Sequence, residues 1–256
     1  MDRLLVNYHT HTHRCGHATG EDREFIESAI AGGIKVLGFS DHSPMVFPSG
    51  YESGFRVPVS KAADYFESLT ALKEEYRDEI EIHIGVEVEY FPASFDDYLA
   101  FIGRFPCEYF ICGQHFIWDE EKGNSSFRPT QSEEILASYF DNLIEAVKSE
   151  RFLYIAHPDL INYTGDAEIY RRHALRFLEV AKEYAMPLEI NRLGLEEGRQ
   201  YPNDLFWQCA AETGNRAIIG IDAHSPGPLS DTAMHRKCIE YAEKAGVELI
   251  TGNLLK

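Results

Sequence analysis

The chain has 256 residues, 44% of them hydrophobic, and a formal net charge of -18 at pH 7. A chain of this length can bury one large hydrophobic core, so we expect a single domain over residues 1–256. The excess of acidic side chains argues against nucleic-acid binding through a general basic surface. No apolar run approaches the ~18 residues that a membrane span needs, so we expect no membrane partner.

The cysteines indicate the compartment. They number five and form no C-x-x-C pair, which is typical of reduced thiols rather than of a disulfide framework. The first six residues show no signal region in which positive charges precede an apolar stretch. We therefore expect a cytoplasmic protein, and the sequence leaves its oligomeric state open.

Strand-like and helix-like segments alternate from the N-terminus. Predicted strands cover residues 4–8, 36–39, 81–90, 109–114, 152–156, 187–190 and 217–221. Helical spacing predicts helices over 25–31, 65–76, 94–103, 135–147, 171–184, 203–212 and 231–245. Gly32-Gly33 ends the first helix, and Ser94 with Asp97 resembles a capping box at the third. Seven strands, each paired with a helix, predict an α/β fold with parallel strands and right-handed crossovers.

Histidines and acids recur where the predicted strands end. In barrel folds the loops after parallel strands converge on one rim, where catalytic groups gather. Neutral imidazole and carboxylate are ligands that hold zinc, iron or manganese. The pattern therefore predicts a site for several metal ions. The segments are Tyr8-His9-Thr10-His11, Phe39-Ser40-Asp41-His42, Ile84-Gly85-Val86-Glu87, Cys112-Gly113-Gln114-His115, Tyr154-Ile155-Ala156-His157 and Ile221-Asp222-Ala223-His224.

The spacing within these segments supports shared ions. His9 and His11 are two residues apart and would project to the same face of a strand, and Asp222 and His224 repeat that spacing. Glu87, as a carboxylate at a strand end, could bridge two ions. Three other histidines lack the strand-end position and are interpreted as surface or core residues: His83, His173 and His235.

Taken in order, the motifs resemble those of the PHP (polymerase and histidinol phosphatase) metallohydrolases. They are H-T-H with a later C-x-H, S-D-H, G-V-E, Q-H-F, A-H-P-D and I-D-A-H, and they run from His9 to His224. The resemblance implies a distorted seven-stranded (β/α) barrel with three divalent transition-metal ions, zinc, iron or manganese. The ligands that it implies are His9, His11, Glu87 and Asp222 for the first ion, Glu87, His115 and His157 for the second, and His17, His42 and His224 for the third. His13 matches no family ligand.

Such a centre suits a phosphate ester. Two ions about 3.5–4 Å apart can share a hydroxide that attacks phosphorus, and the ions offset charge on the phosphoryl oxygens. Glu87 and Asp222 are the expected catalytic carboxylates. Asp159, two residues after His157, is a candidate proton donor to the leaving group, and the alternative is an aspartate that stabilises a turn. Asp41 precedes a ligand and is expected to orient it as a hydrogen-bond acceptor.

Within the family, the chain is most similar in size and motifs to members that hydrolyse histidinol phosphate in histidine biosynthesis. The similarity includes L-E-I-N at 188–191 and G-L at 194–195. Two positions differ. Arg192 follows the asparagine, where that subgroup often has a small residue, and Glu196 follows the G-L pair, where it often has a basic one.

Two arginines near this segment are candidates for substrate binding. The planar guanidinium forks of Arg192 and Arg199 could bind phosphate. The alternative for either is a surface ion pair with Glu196 or Glu197.

Three classes of function stay open. The first is a phosphomonoesterase that acts on histidinol phosphate or another small phosphate ester. The second is a zinc amidohydrolase, whose barrels also begin with H-x-H and end with an aspartate, but such sites lack the third-metal set of His17, His42 and His224. The third is a non-catalytic PHP module, but such modules tend to lose ligands, and none of the nine expected positions is missing here.

Two long loops follow candidate ligands. Residues 43–60 and 117–131 are rich in Gly, Pro, Phe and Ser. Loops of this length are often functional, so a substrate-facing lid and a passive surface loop both stay open.

Overall fold

The computed structural model describes residues 3–118 and 120–256, so Met1 and Asp2, and Asp119 of the predicted loop 117–131, lie outside the described residues. In the described ranges, eight strands form one parallel sheet in sequence order. All seven predicted strands are confirmed, and the short β8 was not predicted. The strands are β1 (Val6–Asn7), β2 (Val36–His42), β3 (Glu81–Val88), β4 (Tyr109–Cys112), β5 (Tyr154–Ile155), β6 (Leu188–Asn191), β7 (Arg216–Gly220) and β8 (Glu248–Leu249).

The sheet curls until its first and seventh strands meet at their carboxyl ends. Just beyond β1 and β7, Thr10 and Ala223 form an isolated parallel bridge, and the His11 amide donates to the Ala223 carbonyl at 3.0 Å. The eighth strand pairs with the start of β7 instead, through Arg216 and Glu248. The expected distorted α/β barrel is confirmed, with eight strands in the sheet rather than the seven predicted.

Helices connect the strands, as right-handed parallel crossovers require. All seven predicted helices are present, whereas the short helices α6 and α8 were not predicted. The capping box was wrong, because the Ser94 side chain makes no capping hydrogen bond. The helices are α1 (Asp22–Gly32), α2 (Ala62–Glu75), α3 (Phe95–Ile102), α4 (Glu133–Lys148), α5 (Ala167–Glu183), α6 (Arg192–Glu197), α7 (Asp204–Thr213), α8 (Gly227–Ser230) and α9 (Thr232–Ala245).

Among the described residues, two of the three buried apolar clusters include side chains from several strands of the barrel. The larger includes residues of the helices and strands, among them Phe25, Phe39 and Phe177, which are fully buried. The smaller joins residues of β1, β2, β4, β5 and β7, and the C-terminal Leu254 and Leu255 pack against it. Burying each large apolar side chain contributes about 1.5–3 kcal/mol to the free energy of unfolding. The strands whose ends carry the candidate ligands are therefore held in a well-packed core.

Two further expectations concern the whole chain. The five cysteines are all free. Among the described residues, no helix combines the length and the apolar character that crossing a bilayer requires.

Candidate metal centre

The structure brings the nine predicted ligand residues to the carboxyl-end rim of the barrel. Their side chains lie close together. The rings of His11 and His224 stack with centroids 4.0 Å apart, and the ring centroids of His42 and His115 lie 5.0 Å apart. Among the described residues, five sets of three donor atoms lie within 4.8 Å of one another, close enough to hold a metal ion, and four of them consist of predicted ligands only. Those four are His9, His11 and Asp222; His9, Glu87 and His157; His42, Glu87 and His115; and His11, His42 and His224, and the fifth is His11, Cys15 and Asp41.

Glu87, near the end of β3, stands between these sets. Its Oε1 lies 2.9 Å from Nε2 of His157 and 3.5 Å from Nε2 of His115. Its Oε2 lies 2.9 Å from Nδ1 of His42 and 3.5 Å from Nε2 of His9. Each oxygen therefore faces its own histidines, which is the arrangement that a carboxylate bridging two ions requires.

Asp222 is the second central carboxylate and follows β7. Its Oδ1 lies 2.9 Å from Nε2 of His11 and 3.4 Å from Nε2 of His9. Its Oδ2 accepts a hydrogen bond from the Asn191 amide at 3.2 Å. Asp222 has a φ of 54°, a strained conformation for a residue that is not glycine, and such strain concentrates at functional sites.

His17 reaches the cavity because a tight turn reverses the chain after β1. A short 3-10 helix over His13–Cys15 ends at Gly16, which has a φ of 84° and so suits a residue without a Cβ. The His17 ring then lies 5.0 Å from that of His224 and 5.1 Å from that of His42. His17 is nevertheless in none of the sets of three donor atoms, and the set around His42 and His224 is completed by His11, so the third ligand set stays a prediction.

The donor set fits transition-metal ions, as the unpaired atoms at its centre show. Among the described residues, buried side-chain atoms without a hydrogen-bond partner concentrate here. Leaving such a group unsatisfied costs about 1–3 kcal/mol, so atoms that converge in this way call for a shared partner. Imidazole nitrogens with carboxylate oxygens are a typical donor set for zinc, iron or manganese. The unpaired atoms are His9 Nε2, His11 Nε2, His42 Nδ1, His157 Nδ1, Glu87 Oε2 and Asp222 Oδ1.

The electrostatics favour ionised carboxylates at the centre. Burial raises the pKa of Glu87, but His115, His9 and His42 outweigh it and hold that pKa well below its usual value. Asp222 behaves in the same way, with His9 as its strongest stabilising neighbour. Both carboxylates are therefore charged at neutral pH.

Carboxylates behind the histidines fix the ring orientations. Nδ1 of His9 lies 2.8 Å from Glu189 Oε1, and Nδ1 of His115 lies 2.9 Å from Glu89 Oε1. Such partners hold one ring nitrogen protonated and leave the other free to bind a metal. The sequence reasoning missed Glu89 and Glu189 as orienting groups. The signal was an acid inside an apolar strand segment, in E-V-E at 87–89 and L-E-I at 188–190.

Asp41 contacts a histidine ring as expected of a hydrogen-bond acceptor, but the ring is that of His11 and not that of His42, the ligand that Asp41 precedes. Its Oδ1 lies 3.3 Å from Nδ1 of His11, and the backbone amide of Thr12 donates to its Oδ2 at 3.0 Å. The side chain thus holds the H-T-H segment against the end of β2.

Two glycines make room for the carboxylates. A Cβ on Gly113 would overlap the carboxylate of Glu87, and a Cβ on Gly220 would overlap that of Glu189. The chain therefore needs glycine at both positions, since any side chain there would displace an acid.

Asp159 is buried, but it is not among the residues that line the cavity. Its Oδ2 accepts hydrogen bonds from the Asn203 amide at 2.6 Å and from the Trp207 indole at 3.0 Å. Burial raises its pKa to about 7. These contacts match the alternative of an aspartate that stabilises the loop before α7.

Arg192 requires a correction, because its guanidinium is directed away from the cavity. The side chain is 2% exposed and pairs with Glu196 at 2.6 Å and with Asp231 at 3.2 Å. Its position in the first turn of α6 directs it toward α9. The pairing with Glu196 is the alternative given above, in a buried rather than a surface setting.

Arg199 does line the cavity. Its guanidinium donates to the Tyr201 hydroxyl at 2.8 Å and pairs with Glu197 at 2.6 Å. The pair with Glu197 is the alternative given above, and the phosphate contact stays a prediction.

The cavity has a volume of about 490 Å³. Phe55, from the loop 43–60, and Phe127, from the loop 117–131, both line it, so both loops face the site rather than only the solvent. The remaining lining residues are His17, His42, His115, His157, Leu193, Glu197, Arg199, Tyr201, Asp222 and His224.

A model of the PHP domain matches residues 7–193. The chain belongs to the PHP family. A protein of Deinococcus radiodurans named "Probable histidinol-phosphatase" is 29% identical over 231 residues, which cover 88% of this chain and 88% of that protein. The histidinol-phosphatase of Lactococcus lactis subsp. lactis is 24% identical over 234 residues, 86% of this chain and 84% of that one.

A solved structure confirms the fold of this PHP protein. Histidinol phosphate phosphatase of Lactococcus lactis, complexed with zinc, L-histidinol and phosphate, superposes with a TM-score of 0.74 and 22% identity. The match covers 99% of this chain and 98% of that one.

Proposed function

We propose that this PHP protein is a metal-dependent phosphomonoesterase that hydrolyses L-histidinol phosphate to L-histidinol and phosphate. The observation that carries the proposal is the position of Glu87, whose two oxygens face separate histidines beneath an open cavity. The names of the relatives point to the same substrate. The proposal places the reaction in histidine biosynthesis and in the cytoplasm, with a small phosphate ester as partner.

Three ions would share the donor set. The first would be held by His9, His11, Glu87 and Asp222, the second by Glu87, His115 and His157, and the third by His17, His42 and His224. Bound divalent ions would lower the pKa of water toward neutrality and offset the charge that develops on the phosphoryl oxygens.

The protein's own groups orient the reaction. Glu189 and Glu89 hold the rings of His9 and His115 through Nδ1, which leaves each Nε2 directed into the cavity. Arg199 would bind the phosphoryl group from the wall, and Tyr201 holds its guanidinium in place.

The cavity wall suits a cationic, aromatic leaving group. Phe55 and Phe127 line the cavity with apolar surface that an imidazole would contact, and the Glu197 carboxylate at the rim offers charge for an ammonium group. Glu197 is half-exposed, so it can release Arg199 when substrate enters.

The test is a turnover screen. Protein reconstituted with zinc, iron or manganese is assayed on a set of phosphate monoesters that includes histidinol phosphate and an aryl phosphate. We expect the highest kcat/KM for histidinol phosphate. A higher value for another ester would assign the enzyme to that substrate, and no hydrolysis of any ester would contradict the proposal.

A further inference from the structure

A buried arginine outside the metal set joins both cavity loops to the site. Arg56, in the loop 43–60, is 2% exposed. Its Nε donates to Glu120 of the loop 117–131 at 2.6 Å, and its Nη2 donates to Glu89, which follows β3. One guanidinium thus ties two loops to the end of a strand.

The same contacts continue to a predicted metal ligand. The second oxygen of Glu89 lies 2.9 Å from Nδ1 of His115, and Nε2 of that ring faces Glu87 at 3.5 Å. The path from Arg56 through Glu89 to His115 has no gap wider than a hydrogen bond.

The neighbours of Arg56 in the chain contact other predicted ligands. The Phe55 ring packs on His42 with centroids 4.1 Å apart and stacks on His17 at 5.4 Å. The amide of Val57 donates to the His42 carbonyl at 3.1 Å. Displacing Arg56 would therefore disturb contacts to His42 and His17, and through Glu89 to His115.

Charge gives a reason for the link. Arg56 faces two buried carboxylates, those of Glu89 and Glu120. These three buried side chains together carry one positive and two negative charges. Buried charge of this kind is costly unless a cation offsets it. A metal ion at His115 would provide that cation.

We propose that Arg56 is a positioning residue that couples the packing of the two cavity loops to the orientation of His115. The inference rests on the proposed metal centre. This role requires a guanidinium, which can donate to both carboxylates at once, because a lysine ammonium is a point charge that lacks the fixed two-pronged geometry.

Three variants of the zinc-reconstituted protein test the contacts of Arg56 with Glu89 and Glu120: Arg56→Met, Glu89→Gln and Glu120→Gln. Zinc affinity is measured by dialysis against graded chelator. Loop packing is measured by chymotrypsin, which cuts at aromatic residues such as Trp118 and Tyr51, 47% and 39% exposed. No variant removes an aromatic residue.

Each variant has its own expected result. Glu89→Gln should weaken the binding of one zinc ion roughly 10- to 100-fold, as partners of metal ligands do, and should also speed loop cleavage, because Arg56 loses its partner at the end of β3. Glu120→Gln should speed cleavage in the two loops and weaken zinc binding by less than Glu89→Gln does, because Arg56 keeps Glu89 but loses its second partner. Arg56→Met should speed cleavage the most and also weaken zinc binding, because it contacts both carboxylates.

Arg23→Met is the matched control, since Arg23 pairs with Glu75 on the surface between α1 and α2. It should change neither measurement. Wild-type zinc affinity in Arg56→Met would overturn the coupling, and wild-type cleavage would overturn the anchoring of the loops.

Arg56→Lys keeps the inference testable if Arg56→Met does not fold. It should recover only part of the zinc affinity and loop resistance, and full wild-type values would overturn the need for a bridge. Both measurements are made without substrate. Failure to hydrolyse histidinol phosphate would therefore count against the proposed function and leave this test unaffected.

Discussion

At the scale of single residues, Glu87 makes the contacts on which the proposed chemistry depends. It lies between His42, which ends β2, and the histidines that follow β4 and β5, and the second central carboxylate, Asp222, lies beside His9 and His11. Both side chains are buried and charged, so each contributes a full negative charge where divalent ions would bind.

Removing either charge tests this directly. We expect Glu87→Gln and Asp222→Asn each to lower kcat/KM by roughly two or more orders of magnitude, because an essential group is lost. Glu108→Gln is the matched control, since Glu108 pairs with Lys73 and His83 away from the cavity. Steady-state kinetics measure the effect, and folded Glu87→Gln protein with near wild-type turnover would contradict the mechanism.

Substitutions of Arg199 and Arg192 should have different effects on catalysis and stability. Arg199→Ala removes a charge-assisted contact worth about 1.5–3 kcal/mol, so kcat/KM on phosphate esters should fall about ten- to hundredfold with zinc content unchanged. Arg192→Ala should leave kcat/KM unchanged and lower the melting temperature, because it removes a buried ion pair. Kinetics and thermal unfolding of both variants measure the difference, and the reverse pattern would restore Arg192 as the phosphate contact.

The candidate ligands could be proposed from the sequence because their position along a strand carries the information. All nine expected ligand positions end strands or follow them, and the structure gathers them on one rim. The direction of a side chain on a short helix carries no such signal, which is why the sequence left a phosphate contact and an ion pair both open for Arg192, which pairs with Glu196 and Asp231. Glu89 and Glu189 were missed because they act through histidines that are distant in sequence.

At the scale of elements, the alternation of strands and helices was predictable because most helices are long and amphipathic and the strands lie in short apolar runs of the sequence. The structure adds elements that are too short to show periodicity, such as β8 at Glu248–Leu249 and α8 at Gly227–Ser230. The closure of the barrel through Thr10 and Ala223 could not be predicted either, since it depends on backbone pairing between the two ends of the chain.

A glycine in β7 tests how strands make room for acids. Alanine normally stabilises a strand relative to glycine by about 0.5–1 kcal/mol, but a Cβ on Gly220 would overlap Glu189, and overpacking costs about 1–3 kcal/mol. We therefore expect Gly220→Ala to lower both the melting temperature and zinc affinity, since Glu189 orients His9. Gly252→Ala is the control, with no atom within 4 Å of the added Cβ. A Gly220→Ala protein that retains wild-type zinc affinity would show that Glu189 can move without cost.

At the scale of the whole molecule, the acidic balance of the chain extends into its interior. Five carboxylates are buried around the histidines, and the buried guanidinium of Arg56 contacts one of them, Glu89. Metal binding would offset this charge, so folding and metal binding should be linked. The five are Asp41, Glu87, Glu89, Glu189 and Asp222.

The linkage gives zinc stabilisation a definite dependence on pH. Burial lowers the pKa of His9 and His11, but the adjacent carboxylates outweigh it and raise both well above 6.5. In metal-free protein these histidines are protonated at neutral pH and stabilise the fold, an effect fully present below the unfolded pKa of about 6.5 and lost as pH rises through the raised values. Zinc must displace those protons, so its binding strengthens as pH rises.

The rise in melting temperature on adding zinc, at a fixed free zinc concentration, should therefore be larger at pH 8 than at pH 6. Calorimetry in buffers of different ionisation enthalpy should also detect net proton release at pH 7. Burial and the neighbouring His11 lower the pKa of His224 to about 4, so that ring is already neutral and releases none. His224→Ala should thus keep most of the proton release, whereas His9→Ala should reduce it. A zinc-dependent shift that is equal at both pH values would contradict the presence of protonated histidines at the centre of the metal-free site.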